Sequence, residues 1–391
     1  MFDLTKEQEE RAMRLHEETI VVDGLGLESV MIAIEQYSPN MLKRLESLEN
    51  VPAGRAIGVA YEDIDRIYME EQRTGESSIE REWIEASGVD VFGTTVANPL
   101  LDMSSFEDTV KGVALWQRRI DCLDYLVKAT CIKDIEEAKA AGKRAVIMGL
   151  QGADCLGGDL DRLQVFYDLG VRMIQPTYNT ANLFGGGCLE PAGGGLSILG
   201  KDLVKRMNEM GILIDVSHCG DQTTSDVIEV SDAPVIITHA ASRRVYNHPR
   251  HKTDEQLQAL SAKDGLIAVQ ALPHVILDMS QEEPTIDAFL DHIDHIVEVM
   301  GADKVGVGTD WPGMVPKLAV IKIIEWIAGA GLEKKEVDRM VPGIDKEYQG
   351  FKDRREWPNI TRGLVSRGYN DDEIRGIIGD NFLRIFKEVV G

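Results

Sequence analysis

The feature of this sequence that most constrains its fold is a series of short apolar runs rich in β-branched residues. The runs are residues 20–23 (IVVD), 89–96 (VDVFGTTV), 145–151 (AVIMGLQ), 173–178 (MIQPTY), 213–218 (LIDVSH), 235–239 (VIITH), 266–270 (LIAVQ) and 305–310 (VGVGTD). Runs that are apolar on both faces are typical of strands buried on both sides, as in a parallel sheet. We therefore predict eight parallel strands.

Helical patterns lie between most of these runs. The segments 161–170, 199–211 and 286–301 each end in Gly, which commonly closes a helix. Segment 253–264 begins with Thr followed by Asp and Glu, as helix N-termini do. Eight strand–helix units favour an α/β fold of the closed (β/α)8 TIM-barrel type. An open doubly wound sheet is the alternative, although no GxGxxG follows the first strand.

Two segments do not fit the strand–helix repeat. Residues 28–85 follow the first strand and are mostly helical in pattern, and residues 311–360 follow the eighth. Barrels place substrate-covering insertions at these strand ends. Residues 370–390 have the pattern of an amphipathic helix pair, and we find no repeat or low-complexity linker. We predict one domain, 1–391, with helical insertions after strands 1 and 8 that cover the barrel mouth.

The composition narrows the possible partners and the location. The formal net charge of −24, from 42 basic and 66 acidic residues, disfavours nucleic acid and anionic lipid as partners. The first residues are charged and helical in pattern, unlike a signal peptide, and no apolar run reaches membrane-spanning length. Five cysteines without CxxC spacing are typical of reduced thiols. We expect a cytoplasmic protein, with a homodimer as the default assembly.

Polar residues stand at the ends of the predicted strands. They are Gln151, Thr177–Asn179, Asp215, Ser217–His218, Thr238–His239 and Thr309–Asp310. Polar groups at the C-terminal mouth of a barrel converge on one pocket, which is where barrel enzymes work. We therefore predict the active site at these strand ends.

The centre of this predicted site is His218, His239 and Asp310. A single strand-end histidine is usually structural, but two on successive strands with an aspartate on the eighth favour a functional site. Paired imidazoles are common metal ligands, and a carboxylate facing them can act as a ligand or general base. His292 and His295, at i and i+3 on a helix, are more typical of a solvated helix face.

The loop 243–254 (RRVYNHPRHKTD) is the densest positive stretch in the chain and directly follows the sixth strand. An arginine there could fork onto a substrate carboxylate. The alternative is an ordinary solvated surface loop.

From the third strand onward, the sequence resembles the renal (membrane) dipeptidase family, zinc-dependent barrels related to amidohydrolases. The resemblance is carried by LIDVSHCGDQTTSDVIEVSDAPVIITHAASRRVYNHPRHKTDEQL, by VGVGTDWPG, and by TYNTANLFGGGC, which is similar to the fourth strand of bacterial members. It implies that His218 and His239 are metal ligands and that Asp310 is the catalytic acid. It further implies that Arg250 holds a substrate carboxylate and that Asp254 matches an acidic family residue.

Further site residues follow from the same comparison. Tyr178 stands where animal members have a histidine that contacts the scissile centre. We assign Tyr178 and Gln151 to catalysis, as groups that orient the scissile amide or its oxyanion. We assign Asn182 to substrate binding with Arg250 and Asp254.

The sequence departs from the family at the first metal. The family has two ligands on strand 1, in a His-x-Asp motif, where this chain has Leu25 and Leu27, and its bridging Glu is Gln151 here. An amide is a weaker, neutral ligand. We therefore predict at most one metal ion, zinc or another divalent metal, at His218 and His239.

The resulting hypothesis is a dipeptidase-like hydrolase of a small amide, dipeptide or N-acyl amino acid that carries a carboxylate. Two alternatives stay open: a metal-independent lyase, isomerase or hydrolase using the same pocket, and a binding protein without catalysis.

Overall fold

A computed structural model describes residues 2–26, 37–49, 53–96, 105–279, 282–311, 313 and 346–391, with no side-chain account for 53–62 and 65. Within these ranges, no helix is both long and apolar enough to span a membrane.

In the described part of the chain, nine parallel strands form the centre of the fold. They are β1 (Val22–Asp23), β2 (Val91–Thr95), β3 (Leu126–Lys128), β4 (Arg144–Leu150), β5 (Val171–Ile174), β6 (Leu213–Ile214), β7 (Ile236–Ala240), β8 (Leu266–Val269) and β9 (Val305–Val307). Pairing runs β1-β2-β4-β5-β6 and β7-β8-β9, and a parallel bridge between Asp215 and Ile236 joins the two sets. The N–H of Gly24 donates to Val307 O at 2.8 Å, which closes the barrel.

The eight strands of the closed barrel are the eight predicted from the sequence, which confirms the (β/α)8 fold. The additional strand β3 pairs in parallel with the start of β4 and was not predicted. Three residues are too few to show a periodic pattern.

Helices surround the barrel and account for most of the connections. In the first half they are α1 (Lys6–Glu18), α2 (Pro39–Glu46), α3 (Ala53–Thr74), α4 (Ile79–Ser87), α5 (Phe106–Cys122), α6 (Ile132–Ala140) and α7 (Arg162–Asp168). In the second half they are α8 (Ile198–Met210), α9 (Asp221–Val230), α10 (Asp254–Ala262), α11 (Pro273–Ile276), α12 (Ile286–Met300), α13 (Pro358–Ser366), α14 (Asp371–Arg375) and α15 (Asn381–Val389). A π-helical turn, Gly376–Asp380, joins α14 to α15.

The two predicted insertions are described to different extents. Helices α2, α3 and most of α4 occupy 28–85, as the sequence predicts, while residues 28–36 lie outside the described residues. Most of 311–360, after β9, also lies outside them. The role of both segments over the barrel mouth, and the single domain 1–391, stay predictions.

Alternation along the strands divides the core into two layers. Val22, Ala145, Ile147, Leu266 and Ala268 belong to the cluster inside the barrel. Their strand neighbours belong to the larger cluster that packs against the helices, including Val146, Met148, Ile267 and Val269. The alternation is regular along β8, whereas the pairing of β7 with β8 shifts register between Ile237 and Ala240, beside His239.

Glycines allow strands to approach closely at the top of the barrel. A Cβ placed on Gly308 would collide with the backbone oxygen of Thr238, the residue before His239. A Cβ on Gly306, two residues earlier on β9, would meet nothing closer than 3.4 Å. The close contact therefore lies at the level of the predicted site and not lower in the barrel.

We expect Gly308→Ala to destabilise the protein by about 3 kcal/mol, because a backbone oxygen cannot move away as a flexible side chain can. Gly306→Ala, on the same strand, should change the free energy of unfolding by less than about 1 kcal/mol. Urea unfolding of both variants measures this difference. Equal effects would show that the top of the barrel tolerates displacement.

A buried histidine should make stability depend on pH. His16 in α1 contacts Thr361 Oγ1 and Ser87 O, both at 2.9 Å, and burial lowers its pKa to about 4 from an ordinary value of 6.5. The unfolded chain therefore takes up this proton first as the pH falls. Stability present above pH 6.5 is lost between about pH 6.5 and 4, by up to about 3 kcal/mol.

We expect His16→Gln to reduce this acid-dependent loss, because Gln keeps hydrogen-bonding groups and does not titrate. Urea unfolding at pH 7.5 and 4.5 compares the variant with the unsubstituted protein. His295→Gln, at a partly exposed histidine, is the control. Identical pH dependence in all three proteins would assign the acid sensitivity to other groups.

Candidate active site

The predicted histidines meet directly above the barrel. His218 follows β6 and His239 lies in β7, and their Nε2 atoms are 3.0 Å apart. The ring of Tyr178, after β5, stacks on His218 with 4.0 Å between centroids. Three residues predicted from separate strands are therefore in contact.

Hydrogen bonds at the opposite ring nitrogens fix the tautomers of both histidines. His218 Nδ1 lies 2.7 Å from Asn179 Oδ1, an acceptor, so Nδ1 carries the proton. His239 Nδ1 lies 2.8 Å from Thr238 Oγ1, whose own hydroxyl donates to Asp215 Oδ2 at 2.5 Å. The hydroxyl oxygen thus accepts from His239. Both Nε2 atoms present lone pairs to each other, an arrangement that favours a shared cation.

The electrostatic surroundings keep both rings neutral. Burial lowers the pKa of His218 and of His239 well below 6.5, and the nearby positive charges of Arg250 and Lys252 lower it further. Neutral imidazole is the form that binds metal ions.

A buried carboxylate, Asp215, organises the residues beneath the histidines. Its Oδ1 accepts from Ser217 N, Ser217 Oγ and Thr238 N, and its Oδ2 accepts from Thr238 Oγ1 and Gln175 Nε2. Gln175 Oε1 also accepts from His218 N at 3.2 Å. Asp215 and Gln175 therefore orient both histidines from below.

The positioning roles of Asp215 and Gln175 were not predicted. Asp215 stood among the strand-end polar residues, and Gln175 lies two residues after the interior residue Met173. That spacing placed Gln175 on the inward face, which was the available signal.

Arg250 lies beside the pair, and part of its guanidinium holds the protein backbone. It is buried and donates to Ser217 O and, at 3.1 Å, to His239 O. These contacts use two of the five N–H donors of the guanidinium. The predicted contact with a substrate carboxylate would use the remaining three.

Asp310 follows β9 in a left-handed backbone conformation, with φ of 53°. Its N–H donates to Leu25 O at 2.7 Å. The preceding Thr309 is held by Asp23, which accepts from its N–H and its hydroxyl, both at 2.7 Å. Such a conformation costs on the order of 1 kcal/mol in a non-glycine residue and is often found at functional sites.

Asn182 shapes the loop after β5. Its Nδ2 donates to Pro176 O at 2.8 Å and to Asp154 Oδ2 at 3.1 Å, and its Oδ1 accepts from Phe184 N and Gly185 N. Both ends of the Asn182 amide are therefore engaged by the protein. Burial raises the pKa of Asp154, its carboxylate partner.

Asp254 is not brought to the histidine pair by the contacts of the described residues. It is the first residue of α10, and its Oδ1 accepts from His295 Nε2 of α12 at 2.9 Å. This contact lies in the helical layer, and we leave Asp254 out of the proposed site.

The prediction of a solvated face for His292 was wrong. His292 is fully buried; its Nδ1 accepts from Ser242 N at 3.2 Å and its Nε2 donates to Ile276 O at 2.9 Å. Backbone groups of Ser242, after β7, and of Ile276, at the end of α11, satisfy both nitrogens, and spacing along one helix could not indicate this.

His218 and His239 have the spacing of ligands to one metal ion, which corresponds to half of the two-metal site described above for the resembling family. Two nitrogens bound tetrahedrally at about 2.0–2.1 Å to one zinc ion lie roughly 3.3 Å apart, close to the observed 3.0 Å. In the described ranges, however, no cluster of three or more His, Cys, Asp or Glu side chains could hold a metal ion. At the strand-1 position Leu25 is buried and apolar, and Leu27 lies outside the described residues.

Comparison with known proteins matches most of the chain to the family that the sequence resembles. The family model described as membrane dipeptidase (Peptidase family M19) matches residues 9–343 and 340–390. Dipeptidase tcpJ of Claviceps purpurea is 27% identical over 289 residues, covering 73% of this chain and 61% of that protein. The curated relatives are thus longer than the matched region, which spans 52–61% of their length.

Solved structures share the fold over nearly the whole chain. An amidohydrolase from Pseudomonas aeruginosa is 25% identical with a TM-score of 0.69, and the match covers 97% of this chain and 98% of that one. The probable dipeptidase PvdM from the same organism is 19% identical with a TM-score of 0.70, and the match covers 99% of each chain.

Proposed function

Because the chain belongs to the membrane dipeptidase family, we propose that it is a metal-assisted hydrolase of a small amide, dipeptide or N-acyl amino acid. The observation that carries this proposal is the pair of Nε2 lone pairs of His218 and His239, 3.0 Å apart. Two neutral imidazoles held in this way by Asn179 and by Thr238 with Asp215 are prepared to share a cation.

The protein side chains have separate roles in this proposal. Asp310 accepts a proton from the attacking water and delivers it to the leaving nitrogen. Tyr178, stacked on His218, and the Gln151 amide orient the scissile carbonyl and its oxyanion. The remaining donors of Arg250 bind the substrate carboxylate, and Asn182 fixes the loop that carries Tyr178.

His218 and His239 would hold one zinc ion, whose Lewis acidity would polarise the scissile carbonyl and acidify the attacking water. The first metal position of the family does not fit, because Leu25 offers no ligand atom and Gln151 offers a neutral amide. One metal ion per chain is therefore our proposal.

A second candidate is acid–base catalysis by Asp310 and the histidines without a metal. The small number of metal ligands favours this candidate. In the described residues the His218 and His239 nitrogens are paired, but no cluster of three or more His, Cys, Asp or Glu side chains could hold a metal ion. A catalytic zinc ion usually has three protein ligands.

A cytoplasmic location and a homodimer also stay predictions.

Metal analysis combined with an amide-hydrolysis panel tests the main proposal. Protein purified without chelator should contain about one divalent metal per chain. It should hydrolyse dipeptides or N-acyl amino acids, lose activity with chelator and regain it with zinc. Activity that survives exhaustive chelation would instead establish the metal-independent candidate. Absence of any hydrolysis across the panel, with metal bound, would contradict the main proposal.

A further inference from the structure

The end of β8 carries a buried amide with no hydrogen-bond partner. Gln270 is fully buried, and neither its Nε2 nor its Oε1 has a partner within the described part of the chain. The Nε2 of Gln151, at the end of β4, is also buried without a partner. Buried polar side-chain atoms are nearly always hydrogen-bonded in native proteins, so each exception needs an explanation.

Strand alternation places Gln270 on the inward face at the level of the candidate site. Leu266 and Ala268 lie in the interior cluster, and Gln270 is the next residue in that series. The Gln270 N–H donates to Ala240 O at 2.9 Å, and the following N–H, of Ala271, donates to Thr309 O at 2.9 Å. Gln270 therefore lies between the strand ends that carry His239 and Asp310.

The same alternation places Gln151 on the inward face at the end of β4. Ala145 and Ile147 belong to the interior cluster, and Gln151 continues that face beyond Gly149. In contrast, both amide atoms of Gln175 are paired inside the protein. The side-chain amide of Gln175 is therefore hydrogen-bonded inside the protein, whereas the side-chain N–H groups of Gln270 and Gln151 have no acceptor in the described part of the chain.

A carboxamide presents one donor and one acceptor on the same edge. Its best partner offers an acceptor and a donor side by side, as a cis amide does. An ordinary peptide bond is trans, so its C=O and N–H point in opposite directions. A carboxylate has acceptors only and would leave Gln270 Oε1 unpaired. Rings of five or six atoms force an amide to be cis.

We propose that Gln270 is a specificity-determining residue that pairs with the N–H and C=O edge of a cyclic amide, such as a cyclic diamide, imide or cyclic ureide. Gln151 Nε2 donates to a further carbonyl of the same ring. This inference rests on the proposed hydrolase function and names its substrate class. The reaction consumes one water: its oxygen bonds to the carbonyl carbon, the ring C–N bond breaks, and the nitrogen takes a proton. The product is an open-chain carboxylate with a free amine, amide or ureido group, and no redox step occurs.

The test compares the six-membered cyclic dipeptide of glycine with linear glycylglycine. N,N′-dimethylation of the cyclic compound keeps the cis amides and removes the N–H groups. We expect the unsubstituted protein to bind and hydrolyse the cyclic compound in preference to the other two. Gln270→Met, similar in size but without polar atoms, should lower kcat/KM for the cyclic compound by about 10- to 100-fold.

Stability separates a binding role from a structural one. Gln270→Met removes an unpaired buried amide, so the melting temperature without ligand should stay the same or rise. The shift in melting temperature caused by the cyclic compound should disappear. Gln164→Met, on the exposed surface of α7 where Gln164 pairs with Asp168, is the control and should change neither quantity.

The outcomes distinguish this inference from the proposed function. Hydrolysis of linear dipeptides without preference for the cyclic compound would overturn the inference and leave the hydrolase proposal standing. A lower melting temperature in Gln270→Met with unchanged selectivity would assign Gln270 to structure and also overturn it. Binding of the cyclic compound that needs Gln270, with hydrolysis of neither the cyclic compound nor glycylglycine, would support the subsite and contradict the hydrolase proposal.

Discussion

Replacing Asp310 by Asn is expected to lower kcat by about 10²- to 10⁴-fold, the range that a general acid–base group contributes. The amide has nearly the same shape but cannot accept a proton from water. Asn also tolerates the left-handed conformation observed at this position, with φ of 53°. The fold should therefore survive, and steady-state kinetics with a melting curve of each protein separates chemistry from stability.

Asp264→Asn provides a matched control for this substitution. Among the described residues, Asp264 and Asp310 are the non-glycine residues with positive φ, and Asp264 lies outside the site in an ion pair with Lys304. The control should keep full activity. If Asp310→Asn kept it as well, the assignment of Asp310 as base would be wrong. If Asp310→Asn lost its fold together with its activity, the effect would be assigned to stability and not to proton transfer.

Replacing His239 or His218 by Gln is expected to abolish metal binding at physiological concentrations. Two nitrogens provide the identified ligands, so removal of one should weaken affinity by at least about 100-fold and remove metal-dependent hydrolysis with it. Metal content per chain and kcat/KM before and after zinc addition measure the two effects. Gln is chosen because it fills part of the buried ring volume and can retain a hydrogen bond.

His295→Gln is the control for the histidine substitutions, since His295 is paired with Asp254 in the helical layer. It should retain both metal and activity. Variants of His218 and His239 that keep a full metal complement would place the metal elsewhere. Variants that lose the metal but keep full activity would contradict the metal-assisted proposal and would also exclude both histidines from catalysis.

The barrel could be predicted because its signal is local. A strand buried on both faces must be apolar along its length, and a helix that follows it must end with a residue such as Gly. The strand-end residues His218, His239 and Asp310 were also identifiable, because parallel strands of a barrel bring their C-terminal ends to one mouth. The contact between the two histidines agrees with this expectation.

The contacts that give these residues their properties could not be predicted in the same way. Asp215 orients His239 through the hydroxyl of Thr238, and Arg250 donates to the backbone oxygens of Ser217 and His239. These contacts join residues that are far apart in sequence. For the same reason, Asp254 was expected at the substrate but contacts His295, and His292 was expected on a solvated helix face but is buried. Each is paired across the helical layer, where packing of whole elements determines the neighbours.

By itself, the sequence determined the closed barrel, the mouth at which polar residues gather, and the absence of the family's ligand types at residues 25, 27 and 151. Those properties follow from residue type and from periodicity along a single segment. The tertiary structure alone decided which ring nitrogens carry protons, and which strand-end amides find partners. Gln175 is satisfied and Gln270 is not because hydrogen bonds depend on positions fixed to within a few tenths of an ångström by several strands together.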